Sequence, residues 1–266
     1  MKKVVLLVLL LGVFNTLIVD AHVPFLKPNQ FIILHNRLQI ESSFTEFPFQ
    51  ADFAMVAPFY TMFGPNGEEV LEPTAKTCAA CYLEPVISGE GTYRIHAALR
   101  KGPKYKAIET ADGKLYFSDE IKKHEGTLTS LQYYSSADTY LMKGNANYKT
   151  HLVGKGVEII PLSSPNEMIF NQKTEFKVYH DGTPVANARI VVVYNNEHYE
   201  KKRIEDLYDV ENVRESSIYA NEEGVFTFTP KKAGLVLLFV TIHKKIDDTL
   251  WESYNTSLTL EVHLSE

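Results

Sequence analysis

The sequence predicts an all-β chain, with two immunoglobulin-like β-sandwich domains that follow a cleaved signal peptide. Three observations predict this class. Helical periodicity is almost absent after the first 21 residues, apolar and polar residues alternate in many short segments, and turn-forming sequences separate those segments. Because a chain of βαβ units would alternate its strands with amphipathic helices, the pattern favours sandwiches over a parallel α/β sheet.

The N-terminus has the three parts of a secretory signal peptide. Lys2 and Lys3 are positively charged, an apolar run follows, and Val19 and Ala21 occupy the −3 and −1 positions of a cleavage site. An uncleaved membrane anchor is the alternative, but the apolar run is shorter than the ~20 residues that span a bilayer. We therefore expect residues 1–21 to be removed, export to the periplasm, and a mature chain that starts at His22.

Composition narrows the class of partners. The chain has 266 residues and a net charge of −6, without a basic stripe, which argues against binding to nucleic acid. After the predicted cleavage site no apolar run is long enough to span a membrane, so we expect no transmembrane segment in the mature chain.

Alternation defines the strands most clearly near the C-terminus. Phe226 and Phe228 should share one face of a strand, and Leu258, Leu260 and Val262 should point inward from the last strand, with Thr259 between them pointing outward. Further predicted strands read "RLQIESSF", "TYRIHAAL", "ARIVVVY" and "GLVLLFVTIH". Turn sequences such as "GPNGEE", "HDGTP" and "NEEG" separate the strands.

A polar stretch near residue 150, "MKGNANYKTHLVGKG", predicts the domain boundary. Residues 22–150 are expected to form an N-terminal β-sandwich and residues 151–266 a C-terminal immunoglobulin-like sandwich. The charged segment 195–217 fits neither pattern, and an extended hairpin and a loop with a short helical turn are both compatible with it.

Two cysteines form the motif "CAAC" at Cys78 and Cys81. A local disulfide or a pair of inert thiols is the simplest interpretation in an oxidising compartment. A soft-metal site and a redox dithiol are the alternatives, although the strand-turn-helix context of a thioredoxin-like motif is missing.

His22 is the strongest candidate for a metal-binding residue. Cleavage after Ala21 would free its α-amine, and the amine and one imidazole nitrogen can chelate the same ion. Nitrogen ligands suit nickel, cobalt and copper, so a divalent transition metal is the expected cofactor. His96 is a second candidate ligand, because alternation in "TYRIHAAL" directs it outward or toward a neighbouring segment. The alternative at His22 is a histidine that is merely tolerated at the +1 position of the cleavage site, and the alternative at His96 is an ordinary surface histidine.

Three segments carry a resemblance to a known family: "AHVPFLKP" at the predicted mature N-terminus, "GVEIIPLSSP", and "SYNTSLTLEV" in the last strand. Nearly the whole mature chain resembles a family of exported bacterial proteins often labelled as a periplasmic component of nickel or cobalt transport. The C-terminal half is also similar to carboxypeptidase-regulatory-like immunoglobulin modules. The resemblance implies a metal ion and an inner- or outer-membrane transporter as partners, and an acidic residue at Glu46 in "SFTEFPF" as a further metal ligand.

Three functions are therefore compatible with the sequence. The first is a periplasmic protein that binds or delivers nickel, cobalt or copper through His22, His96 and Glu46. The second is a non-catalytic interaction module of two sandwiches, and the third is a copper monooxygenase with a second histidine beside His22. Since the sequence has no HExxH, no G-x-S-x-G and no P-loop, we expect the protein not to be an enzyme.

Overall fold

The computed structural model describes residues 22–47, 49–195, 197–200 and 216–265. The predicted signal peptide, residues 1–21, lies outside the described residues. Most of the charged segment 195–217 also lies outside them, apart from a four-residue helix, Glu197–Glu200 (α1). Among the described residues, no helix has the length and apolar character needed to cross a membrane.

The all-β class predicted from alternation is confirmed, because strands make up most of the described chain. In the first half the strands are β1 Val23–Pro28, β2 Ile40–Thr45, β3 Phe53–Ala54, β4 Tyr60–Gly64, β5 Gly67–Leu71, β6 Ala75–Lys76, β7 Cys81–Leu83, β8 Gly91–Glu109, β9 Leu115–Phe117 and β10 Thr127–Lys143. In the second half they are β11 Val157–Pro161, β12 Thr174–His180, β13 Thr183–Pro184, β14 Arg189–Tyr194, β15 Ile218–Tyr219, β16 Val225–Phe228, β17 Gly234–Asp247 and β18 Leu250–Val262. Two short 3₁₀ turns cover Ser118–Lys123 and Pro165–Glu167.

The described strands form three sheets. The first has the order β1-β2-β7-β6, with β3 paired to β2. The second has the order β15-β14-β17-β18-β10-β8-β4-β5, with β9 paired to β8, and the third has the order β11-β12-β13, with β16 paired to β12. The second sheet therefore contains strands from both predicted domains.

One parallel ladder joins the two halves of the chain. β10 and β18 pair from Leu131 opposite Trp251 to Thr139 opposite Thr259, whereas the other ladders between these strands and their neighbours are antiparallel. Each of the two strands is hydrogen-bonded on both sides, so the ladder lies in the interior of the sheet. The boundary near residue 150 stays a prediction, and the backbone hydrogen bonding crosses it.

Two main apolar clusters pack on the second sheet. One joins Leu26 and Ile40 of the first sheet to Ile95 and Leu141 of the second. The other joins aromatic residues of the third sheet, such as Phe176, to β17 and β18. Burying large side chains of this kind contributes about 1.5–3 kcal/mol each, which is why the sheets associate face to face.

The alternation predicted near the C-terminus is confirmed for the residues that face the core. Phe226, Phe228, Leu258 and Leu260 are all buried in the second apolar cluster. The outward position of Thr259 is wrong, because its side chain is buried as well. β1 lies over that face of β18, where the Ser257 hydroxyl donates a hydrogen bond to the carbonyl oxygen of Pro24 at 2.5 Å. Alternation alone does not reveal this second covering layer.

Candidate metal site

His22 and Glu46 meet at one end of the first sheet. Val23 lies opposite Thr45 in the antiparallel ladder of β1 and β2, so the residues just beyond this pair, His22 and Glu46, are opposite each other as well. Nε2 of His22 lies 3.2 Å from Oε1 of Glu46. Two of the three residues predicted to form a metal site are therefore in contact.

Asp52 is a third member of this site that the sequence did not identify. Its Oδ2 lies 3.7 Å from Nε2 of His22 and accepts a hydrogen bond from the backbone N–H of Glu46 at 2.6 Å. Phe44 pairs with Phe53 across β2 and β3, which folds the intervening loop back and returns Asp52 to Glu46. The only sequence signal is the short loop between two apolar residues, and that signal does not specify an acidic partner.

The imidazole of His22 is held between these carboxylates and an aromatic ring. Its side chain is 8% exposed, and its ring lies against that of Phe53 with centroids 4.2 Å apart. A carboxylate next to Nε2 favours the tautomer that carries its proton on Nε2 and its lone pair on Nδ1. The site therefore orients Nδ1, the ring nitrogen nearest the backbone amine, as an electron-pair donor.

His96 lies in the second sheet, on β8, and its side chain is buried, which agrees with the alternative that it faces a neighbouring segment and not solvent. Its Nδ1 lies 3.0 Å from Oδ1 of Asp138 on β10. The same carboxylate oxygen accepts a hydrogen bond from Nε of Arg94 at 2.7 Å. The structure therefore places His96 with Asp138 and Arg94, not beside His22.

Arg94 connects this buried cluster to the second half of the chain. Its Nη2 lies 2.9 Å from Oε2 of Glu158 on β11, and its Nη1 donates to the carbonyl oxygen of His151 at 2.8 Å. Glu158 also accepts backbone hydrogen bonds from Val153 at 3.0 Å and Gly154 at 2.7 Å. Segment 151–154 is thereby fixed near β8, and His151, Leu152 and Val153 line a common cavity with His96.

Asp138 is held in its ionised form by its neighbours in this cluster. Burial by itself would raise the pKa of the Asp138 carboxyl, but the positive charge of Arg94 and the contact with His96 outweigh it and lower the pKa to about 2. Asp138 is therefore an anion at neutral pH, and it holds the His96 imidazole through Nδ1.

The described residues contain no group of three or more His, Cys, Asp or Glu side chains arranged to hold a metal ion. Cys78 is exposed, Cys81 is buried, and both are free thiols, so the "CAAC" motif does not form a disulfide in this structure. A metal at His22 therefore requires a donor other than side chains. An α-amine exposed by cleavage after Ala21 is chemically suited to be that donor.

The family comparison covers most of the chain. The model of the family described as "Domain of unknown function (DUF4198)" matches residues 19–244. No curated protein sequence matches this chain.

Several solved structures align with most of this chain. Fibronectin(III)-like modules of Clostridium thermocellum CbhA are 7% identical, with 89% of this chain and 94% of that one covered and a TM-score of 0.19. The D00-D0 domain of intimin is 10% identical, with 91% and 100% covered and a TM-score of 0.21. SGBP-B of the Bacteroides ovatus mixed-linkage glucan utilization locus is 12% identical, with 92% and 46% covered and a TM-score of 0.19. At these TM-scores the likenesses carry no argument about function.

Proposed function

We propose that this chain, which belongs to the DUF4198 family, is a periplasmic protein that binds or delivers nickel, cobalt or copper through a mature N-terminal His22. One observation carries the proposal: Nε2 of His22 lies 3.2 Å from Oε1 of Glu46 and 3.7 Å from Oδ2 of Asp52. Imidazole ligands of metals commonly donate their second ring N–H to a carboxylate in this way.

The two metal donors assigned to His22 are its α-amine and its Nδ1. Each can donate a nitrogen lone pair to a metal, which displaces any proton on the amine, and together they close a six-membered chelate ring on one ion. In this assignment Glu46 and Asp52 hold the ring rather than bind the metal. The role of Glu46 is therefore different from the ligand role implied by the family resemblance.

Two nitrogen donors leave further positions on the ion for water or for another protein. Such an incomplete ligand set suits delivery, because a receiving transporter can add its own ligands before His22 releases the ion. A copper monooxygenase would need a second histidine at this ion, and the one that the sequence suggested, His96, bonds instead to Asp138 in the second sheet. We therefore assign no catalytic step to the site.

The proposal is tested by calorimetric titration of the processed protein with Ni²⁺, Co²⁺ and Cu²⁺. His22→Ala should abolish the binding of at least one of these ions. The matched control is His35→Ala, which removes an exposed histidine elsewhere in the first half of the chain and should bind as the wild type does. Equal binding by wild type and His22→Ala would overturn the proposal and favour a non-catalytic interaction module.

A second variant separates the amine from the imidazole. One alanine inserted between Ala21 and His22 keeps the imidazole but moves the free amine to another residue. The chelate predicts a loss of affinity close to that of His22→Ala. Unchanged affinity would exclude the amine as a donor. The proposal also requires that N-terminal sequencing of the exported wild-type protein identifies His22 as its first residue.

A further inference from the structure

A cleft on the second sheet is not part of the His22 site. Its volume is about 420 Å³, within the range of about 300–1,000 Å³ that is typical of small-molecule sites. Thr92 and Arg94 of β8 and Tyr140 of β10 line it, and Arg94 lies opposite Tyr140 in the ladder. The β4–β5 hairpin and segment 147–151 supply the other lining residues.

A buried hydroxyl among the lining residues lacks a partner. The Oγ1 atom of Thr92 makes no hydrogen bond within the described part of the chain, and the hydroxyl of Tyr140 is buried beside that of Tyr148. Burial raises the pKa of Tyr140 well above its ordinary value, so this hydroxyl stays protonated and can both donate and accept. Because a buried polar group without a partner is costly, a ligand hydroxyl that bonds Thr92 is favoured.

The charges around the cleft disfavour an ionic ligand. Arg94 is a lining residue of the cleft. Asp138 and Glu158 both pair with its guanidinium, so it adds little net positive charge that would attract an anion or repel a cation. Lys149 and Glu68 are exposed lining residues of opposite sign, and neither sign predominates there.

Aromatic rings give the cleft apolar surfaces next to these polar groups. Phe63 stacks on His151 with centroids 4.1 Å apart, and Tyr148 lies edge-on to Tyr140 with centroids 5.8 Å apart. Phe63, Tyr148 and His151 all line the cleft. A second cavity of about 300 Å³ shares Phe63, Glu68 and His151 with it, so a ligand with more than one ring has room to continue.

We propose that this cleft binds a neutral saccharide. A sugar ring has hydroxyl groups that donate and accept, as Thr92 requires, and carries no charge. Its apolar C–H face packs on aromatic rings such as Phe63 and Tyr148. The site is independent of the proposed metal function, because it lies on the second sheet and uses none of the residues around His22.

The test uses sugars that differ in charge at a single carbon. Glucose, galactose and mannose are titrated into the processed wild-type protein and followed by saturation-transfer NMR and calorimetry. At least one of them should bind, and its 6-amino and 6-carboxylate forms should bind at least about tenfold more weakly, because the cleft offers neither charge a free counter-charge. No binding of any neutral hexose at millimolar concentration, or equal binding of the charged forms, would overturn the proposal.

A matched pair of variants locates the binding. Thr92→Val removes one buried hydroxyl while keeping the side-chain shape, and it should weaken the binding of the neutral hexose about tenfold. Thr227→Val changes an exposed threonine on β16 of the third sheet and should leave that binding unchanged. Equal affinities of the two variants would overturn the assignment.

A third variant covers the case in which Thr92→Val does not fold. Asn147→Ala changes an exposed residue of the cleft wall and should also weaken binding, with an unfolding temperature equal to that of the wild type. Unchanged binding by Asn147→Ala would then decide against the cleft. His22→Ala should retain sugar binding, so a failure of the metal proposal is distinguishable from a failure of this one.

Discussion

Arg94 and Glu158 form a buried ion pair across the predicted domain boundary, with 2.9 Å between Nη2 and Oε2. Arg94 belongs to β8 in the first half of the chain, and Glu158 belongs to β11 in the second. Because the same guanidinium also bonds Asp138, one buried cation connects β8, β10 and β11. The two halves are therefore joined by charge as well as by the ladder of β10 and β18.

Glu158→Gln should destabilise the protein strongly. The substitution leaves the buried guanidinium of Arg94 with one carboxylate instead of two. Removing one member of a buried pair typically costs about 3–5 kcal/mol, and we expect a decrease in the free energy of unfolding of about 3 kcal/mol. Urea denaturation measures it. Glu175→Gln, at an exposed position on β12, is the control and should change stability by no more than about 0.5 kcal/mol. A loss below about 1 kcal/mol for Glu158→Gln would contradict this account.

Asp138 should make stability depend on pH in the acid range. Its pKa is lowered from 3.8 to about 2 in the folded protein, so folding favours the ionised form. The stabilisation is fully present above the unfolded pKa, near 4, and is lost as the pH falls through about 2. It amounts to about 2 kcal/mol.

The variant Asp138→Asn tests this assignment. It should be less stable than wild type at neutral pH, and its free energy of unfolding should change less between pH 4 and pH 2. Asp248→Asn, at a fully exposed carboxylate, should keep the wild-type slope. An unchanged slope for Asp138→Asn would show that Asp138 does not titrate in this range.

The strands and their core-facing residues could be predicted from the sequence, because alternation indicates which residues of a strand point into an apolar core. Phe226 and Leu258 are buried as predicted. The alternation left open whether His96 faces solvent or a neighbouring segment. The structure places it near segment 151–154, which Glu158 holds through the backbone N–H groups of Val153 and Gly154. This proximity joins residues that are distant in sequence, and alternation along a strand does not identify such a neighbour.

The candidate metal site could likewise be predicted from the sequence only in part. The contact between His22 and Glu46 results from a simple register, one residue beyond the pair Val23 and Thr45. Asp52 joins them only because β3 returns along β2. A loop of this kind has no periodic signal, so an acidic residue within it does not stand out from any other surface carboxylate.

Glu46→Gln should weaken metal binding without abolishing it, if His22 is the chelating residue. Outer-sphere carboxylates that orient a ligating histidine are typically worth about 10–100-fold in affinity. We therefore expect the Cu²⁺ or Ni²⁺ affinity of the processed protein to fall by that factor, measured by competition with a chelator of known affinity. Glu223→Gln, at an exposed turn position, is the control. A complete loss, equal to that of His22→Ala, would instead make Glu46 a ligand, and no change would remove it from the site.

The two halves should unfold together, because β10 and β18 form one parallel ladder of directly paired residues. Trp251 lies at the start of that ladder and its indole N–H donates to Glu109 of β8, so its fluorescence reports the contact between the halves. Cys81 is buried in β7 of the first sheet, so labelling of its thiol in a Cys78→Ser background reports the first half. Both probes should give the same urea midpoint, as a cooperative two-state transition requires. Labelling of Cys81 at clearly lower urea than the fluorescence change would indicate that the halves unfold independently, with the boundary near residue 150 as the line between them.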